Sequence, residues 1–409
     1  MLGGRFVHGG RSAHGRLFVP RAVMASTEHV TRNEYLLIEL LRGLAAAMVL
    51  YTHFWAFSET DNRFFRFAHT GVDLFFVLSG YVFGPYLFGK ELSLVTFWLR
   101  RFFRIYPLYL LALMIYIGQK HLNGDPLLYV LEHLSFSFFQ SKTMAFYYNP
   151  PFWSLPAEVE FYLLLPLFAF AIKRWPLAGI SFFVIALLIR GLLGQLADFS
   201  NSNQWFIVLH HLPGLAIEFS LGIGLWRLIR NLDRGSETIT MQGGYLIFAG
   251  IIGWATLASH FAQVGDEGIN TSILRGQMGL LAAGCYTLML AGLLILIRAE
   301  ETRYRSAKGV IAKILNLKLR AKEAIAIWSG KLSYGIYLLH MAALNLMDSL
   351  HSTLHAFPFY DRALWATFLT IFGAAATHIF WEDPLRRFGR RLAAQLEQRS
   401  VKKRRYPLA

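Results

Sequence analysis

Residues 38–55 read IELLRGLAAAMVLYTHFW. With its flanks at 35–57 this apolar stretch reaches the roughly 20 residues that a helix needs to cross a bilayer. Nine more stretches of the kind follow, at 71–89, 105–119, 153–172, 176–195, 206–227, 243–262, 274–297, 324–347 and 362–381. Together they predict an all-α polytopic membrane protein with about ten transmembrane helices. Composition points the same way: of 409 residues 55% are hydrophobic and only 16% charged, with a mean hydropathy of +0.41, whereas a soluble domain carries about 25% charge.

The formal charge of +15 raises nucleic acid as a partner, but such binding needs a basic face interleaved with polar or aromatic readers. The basic residues sit instead in the connections between apolar stretches. With the N-terminus inside, the segments on that side gather 31 of the 40 Lys and Arg, the positive-inside pattern, which predicts both termini in the cytoplasm. The expected organisation is a basic cytoplasmic arm at 1–34, a membrane domain at 35–385 and a basic cytoplasmic tail at 386–409. The arm has no apolar h-region, so it reads as retained rather than as a cleaved signal peptide, with Met24 an alternative start. The segment from Ser93 to Arg104, SLVTFWLRRFFR, reads as an interfacial helix with aromatic residues toward acyl chains and arginines toward phosphates. The single cysteine, Cys285, excludes a disulfide framework.

Ionisable residues inside spans are costly and usually face a cavity or a partner. Arg42 and His53 lie eleven residues apart, which on a helix leaves them within about 20° around the axis and roughly 16 Å apart along it. On spacing alone, an arginine snorkelling to lipid phosphate and a histidine near the outer interface bonded to a backbone carbonyl is the slightly favoured reading. In FWSLPAEVEFYLLLP, Glu158 and Glu160 point about 200° apart, so at most one of them faces a given cavity. Asp73, in GVDLFFVLSGYVFG, suits a helix N-terminus, while Ser79 and Gly80 suit close helix packing. In WSGKLSYGIYLLHM, Ser333, Tyr337 and His340 follow i, i+4, i+7 and form a polar stripe. The predicted topology sets His53, Asp73, Glu158 and His340 at comparable depth on four helices. On the opposite side, Arg101 and Arg104 join Arg42, either as lipid-headgroup ligands or as an anion site. The pattern is an acidic and imidazole site facing out and a phosphate-binding site facing in.

In their order and topology these segments resemble the acyltransferase 3 family of membrane-embedded O-acyltransferases. The resemblance is carried by the Arg42 and His53 pair, GVDLFFVLSG at 71–80, RFFRIYP at 101–107, WSLPAEVEFYLLLP at 153–166, LSYGIYLLH at 332–340, and Glu382 with Pro384. It departs from the family pattern at Pro156 and Ala157, which vary around the expected carboxylate, and at Glu160, an extra acid. The resemblance implies transfer of an acyl group, most often acetyl, from a cytoplasmic acyl-CoA to a hydroxyl of a sugar or glycan outside a bacterial inner membrane.

Under that implication the phosphates of acetyl-CoA rest near Arg42, Arg101 and Arg104, and the pantetheine arm spans the distance to His53. A hydroxyl is a poor nucleophile at neutral pH and needs a base such as imidazole. His53 is then that base, oriented by Glu158, or is itself acylated and passes the group on. Tyr337, His340 or Trp153 supplies the oxyanion donor, with Asp73 and Ser79 supporting. No metal is implied, since His351 and His355 lack a third ligand. The main rival is a secondary transporter, but carriers tend to show matching halves, and here the polar motifs have no copy in the second half. A polytopic glycosyltransferase using a lipid-linked sugar is a second rival.

Overall fold

The computed structural model describes residues 31–54, 63–89, 92–175, 178–196, 203, 210–232, 237–264, 278–304, 310–354 and 359–405. Most of the arm expected at 1–34, as well as Met24 and His355, lie outside the described residues. The principal helices are α1 (Arg32–Phe54), α2 (Gly71–Leu87), α3 (Leu94–Leu122), α4 (Ser154–Arg174), α5 (Ala178–Leu196), α6 (Leu212–Asn231), α7 (Glu237–Val264), α8 (Met278–Tyr304), α9 (Val310–Leu354), α10 (Phe359–Thr377) and α11 (Asp383–Arg405), with a π-helical turn at His378–Glu382 between the last two. No strand occurs among the described residues. The chain is an all-α, multi-pass membrane protein.

Eight helices among the described residues are long and apolar enough to cross a membrane, and Ser181–Leu193 is a shorter apolar one. The eight correspond to the expected spans other than the fifth and the ninth. The fifth falls on the short helix. The ninth lies in α9, whose Ser333 and His340 are buried against protein. Packed against α1 and α10, that helix needs little apolar surface for lipid. The interfacial helix expected at 93–104 is the first third of α3, which continues through Pro107 without a break. The tail expected from 386 is helical to Arg405, and Gly389 packs against the Phe103 ring of α3.

Small residues set the central crossing. A Cβ on Gly80 would lie 2.0 Å from the Phe219 carbonyl oxygen, and one on Gly222 would lie 2.0 Å from that of Val77. Only glycine at both positions lets α2 and α6 approach this closely. Around the crossing, one apolar core gathers α2, α3, α4, α6 and α9, and a second gathers α1, α2, α6 and α8.

The connection between α3 and α4 is not a loop lying on the surface. Phe152 is fully buried, its ring 5.0 Å from that of Tyr109 and 5.4 Å from that of Tyr116. His133 stacks on Phe138 at 4.1 Å and meets the Met144 carbonyl at 3.1 Å. Burial lowers the His133 imidazole to about 4, so it is neutral near pH 7. Because the connection packs inward, α4 begins inside the bundle, with Ser154 and Leu155 buried in its first turn.

At the end expected to face the cytoplasm, Glu34 is fully buried. Arg230 of α6 grips its two carboxylate oxygens at 3.0 and 2.7 Å, and Nε of Arg298 of α8 donates to one of them at 2.9 Å. Removing one member of a buried ion pair leaves an uncompensated charge at a cost of about 3–5 kcal/mol. Glu34→Ala is therefore expected to lower the thermal unfolding midpoint in detergent markedly, and an unchanged midpoint would show that the cluster does not hold these helices together.

Candidate active site

A cavity in the bundle is lined by Arg42, Val72, Phe75, Phe76, Ser79, Arg104, Ile105, Ser154, Leu155, Glu158, Ser333, Tyr334 and Tyr337. Five helices build it. α2 presents Val72, Phe75, Phe76 and Ser79 at helical spacing, and the polar stripe read on α9 supplies Ser333 and Tyr337. Arg42 approaches Glu39 at 3.9 Å, beyond hydrogen-bond range. Among the described residues, neither Arg42 nor Arg104 makes a hydrogen bond to another protein group. Each guanidinium carries five donors, so the cavity holds cationic donors that the protein itself leaves unused.

Arg101, grouped with these two in the sequence, goes elsewhere. Its guanidinium lies over Phe83, Phe97 and Tyr162, at 5.1, 5.8 and 5.7 Å from their ring centroids, a cation–π environment. It reaches the cavity only through Tyr162, whose hydroxyl donates to Glu158. Tyr162 was missed in the sequence, although its i+4 spacing from Glu158 on a helix was a usable signal.

His53 lies farther along α1. Its Nδ1 is 2.8 Å from the Val49 carbonyl oxygen and 3.3 Å from Nε2 of His340. His340 is fully buried, with its own Nδ1 3.0 Å from the Ile336 carbonyl oxygen. A carbonyl only accepts, so in the neutral rings both Nδ1 atoms carry the hydrogen. His340 Nε2 then accepts from His53, and the basic lone pair of His53 resides on its Nε2. Tyr116 fixes this level of α9. Its hydroxyl donates to the Leu338 carbonyl at 2.8 Å and accepts from the Ala342 N–H at 3.0 Å, entering the helical ladder on either side of His340.

The expected pairing of His53 with Glu158 is not formed: no hydrogen bond or ion pair joins them among the described residues. Glu158 shares the cavity with Arg42 and Arg104, and the partner of His53 is His340. On α4, Glu158 also accepts from Tyr162 one turn later, which holds it on the side of the arginines. Tyr337 is likewise not a free oxyanion donor. Its hydroxyl donates to the Pro151 carbonyl at 2.6 Å and takes the Ser154 hydroxyl at 2.7 Å, so its one hydrogen is used within the bundle. The one ring hydrogen of neutral His340 is used in the same way at Ile336. The Trp153 ring stands edge-on to His210, 4.6 Å away, outside the cavity lining.

Asp73 leaves the expected cluster. Its carboxylate sits against Gly279 of α8, where a Cβ would lie 2.3 Å from Oδ1, and beside the buried Glu218 of α6. Ser79 does line the cavity. The extra acid Glu160 is accounted for structurally: one oxygen meets Nδ1 of His211 at 2.8 Å and the other accepts the Leu212 N–H at 2.9 Å. A carboxylate on α4 thus caps the N-terminus of α6.

Comparison with known proteins adds a family. A family model described as an acyltransferase domain matches residues 35–382. The O-acetyltransferase OatA of Staphylococcus aureus is 25% identical over 343 residues, covering 78% of this chain and 53% of that protein. The peptidoglycan O-acetyltransferase OatA of Listeria monocytogenes is 26% identical over 405 residues, covering 90% of this chain and 58% of that protein. The acyltransferase MdmB of Streptomyces mycarofaciens is 28% identical over 227 residues, covering 46% of this chain and 57% of that protein. The chain spans about half the length of the curated relatives it matches. No solved structure matches it.

If Glu160 acts as a cap, Glu160→Ala should cost about 1–2 kcal/mol of stability, read as a lower unfolding midpoint in detergent. Identical unfolding of variant and parent would overturn the assignment.

Proposed function

The chain belongs to the acyltransferase 3 family, and we propose that it moves an acyl group, acetyl in the first instance, from a coenzyme A thioester on the cytoplasmic side to a hydroxyl of a cell-envelope glycan on the outer side of a bacterial inner membrane. The observation that carries the reading is the pair of arginines with no hydrogen-bond partner among the described residues, Arg42 and Arg104, in a cavity some 16 Å below a histidine whose Nδ1 meets the Val49 carbonyl and His340. An anionic, extended donor suits that layout. Its phosphates meet the guanidinium groups, and its thioester reaches toward His53.

In the reaction the acceptor oxygen attacks the thioester carbonyl carbon while Nε2 of His53 takes the hydroxyl proton. The tetrahedral intermediate collapses, the C–S bond breaks, and the leaving sulphur receives that proton from the imidazolium. An ester and a free thiol result, with no other reactant consumed. His340 holds His53 in its tautomer and accepts from it throughout, the orienting role that a carboxylate plays in other histidine-assisted acyl transfers. Glu158, paired with Tyr162, offsets part of the cationic charge beside Arg42 and Arg104. The acceptor class follows the family, one of whose members is named for peptidoglycan O-acetylation.

The test uses purified protein in detergent with acetyl-CoA and an acceptor glycan, following release of free thiol. His53→Ala is expected to lower turnover by roughly 10²–10⁴-fold, and full activity in a folded variant would overturn the assignment of the base. A transporter would release no thiol in detergent. Arg42→Ala is expected to raise the KM for acetyl-CoA roughly tenfold or more, as the loss of hydrogen bonds to a charged group requires. An unchanged KM would remove the anion site.

A further inference from the structure

A third arginine, Arg386, lies outside the cavity lining, where the start of α11 packs on α3 near Arg104. The π-helical turn at His378–Glu382 swings Glu382 into the bundle, where it is 2% exposed. Nδ1 of His378 meets one of its oxygens at 3.0 Å, and Arg386 donates to the other at 2.9 Å. Nε1 of Trp381 donates to the Pro107 carbonyl at 2.9 Å. That bond fixes the turn to α3 three residues beyond Arg104, while Gly389 seats α11 on Phe103. Arg386 and Arg104 are thereby held close enough that Glu382 acts on both electrostatically, and Glu39 acts on Arg42, Arg104 and Arg386 together.

Arg42, Arg104 and Arg386, from α1, α3 and α11, therefore share one electrostatic neighbourhood with two carboxylates, Glu39 and Glu382. The carboxylates answer the arginines incompletely, since Arg42 stands 3.9 Å from Glu39 and Arg104 has no hydrogen bond among the described residues. Phosphate oxygens match guanidinium forks better than a distant carboxylate does, and they can bind several forks at once. We propose that Arg386 completes a three-arginine phosphate seat with Arg42 and Arg104, and that Glu39 and Glu382 act as its counter-ions, with Glu39 competing for the arginines until a phosphate arrives.

The inference rests on the acyl-transfer reading and adds to it a basis for donor selection. Phosphate groups remote from the thioester supply the binding energy that favours a nucleotide-bearing donor over a bare thioester. An anionic lipid headgroup offers the same chemistry, so the test has to separate the two sources.

The experiment compares acetyl-CoA with S-acetyl-pantetheine, which lacks phosphate, for the full-length protein in lipid-free detergent and in nanodiscs with or without phosphatidylglycerol. Wild type is expected to prefer acetyl-CoA. Arg386→Ala should raise the KM for acetyl-CoA roughly tenfold, leave S-acetyl-pantetheine kinetics unchanged, and keep kcat near its parent value. Arg386→Lys should restore the preference in part, because it returns the charge without the fork. Glu39→Gln should act in the opposite sense and lower the KM for acetyl-CoA. If Arg386→Ala slows both donors alike, the residue only anchors α11 and the inference fails. An effect seen only with phosphatidylglycerol present assigns the seat to a lipid headgroup and also overturns it. No transfer by wild type from either donor would sink the acyl-transfer reading as well, whereas transfer with an unaltered donor preference in Arg386→Ala sinks this inference alone.

Discussion

A guanidinium carried into a helix bundle within a bilayer has lost its water and has to be answered by a carboxylate, an aromatic face or a ligand. The protein shows the first two, and it leaves two further guanidinium groups facing a cavity. Glu34 takes Arg230 and Arg298 with charge-assisted hydrogen bonds at full burial. Arg101 rests among three aromatic rings. Arg42 and Arg104 line a cavity and have only distant carboxylates. The first two solutions are complete within the chain, and at the third the guanidinium groups make no hydrogen bond to protein among the described residues.

The cavity exists because backbone packing around it is unusually close in two places. Gly80 and Gly222 bring α2 and α6 together, and Val72, Phe75, Phe76 and Ser79 of α2 form one wall of the cavity. The inward-packed connection before α4 sets Phe152 against Tyr109 and Tyr116, so α4 starts from buried residues. One consequence is chemical: Glu158 stands with the arginines, and the histidine above them is supported by a second histidine.

Much of the architecture was legible before any coordinates. Apolar runs at about 20 residues, the crowding of Lys and Arg on one side, and the polar stripe Ser333, Tyr337 and His340 all follow from local spacing, and local spacing is what a helix preserves. The same arithmetic placed Arg42 and His53 on one face at two depths. It misjudged Glu158, Asp73 and Arg101, because their surroundings depend on where neighbouring helices begin and how they turn. Tyr162 and Arg386 take their surroundings in the same way: each donates to a carboxylate four residues earlier, Glu158 or Glu382, that packing turns inward.

The order of the chain by itself therefore determined the membrane class, the helical spans and the family motifs, since these depend on hydrophobic length and on periodicity within single segments. Only the tertiary structure decided which charges meet. Long-range packing, with its glycine crossing, its buried connection and its π-helical turn, sets the distances between groups hundreds of residues apart, and electrostatic partnership in a low-dielectric interior is a matter of those distances.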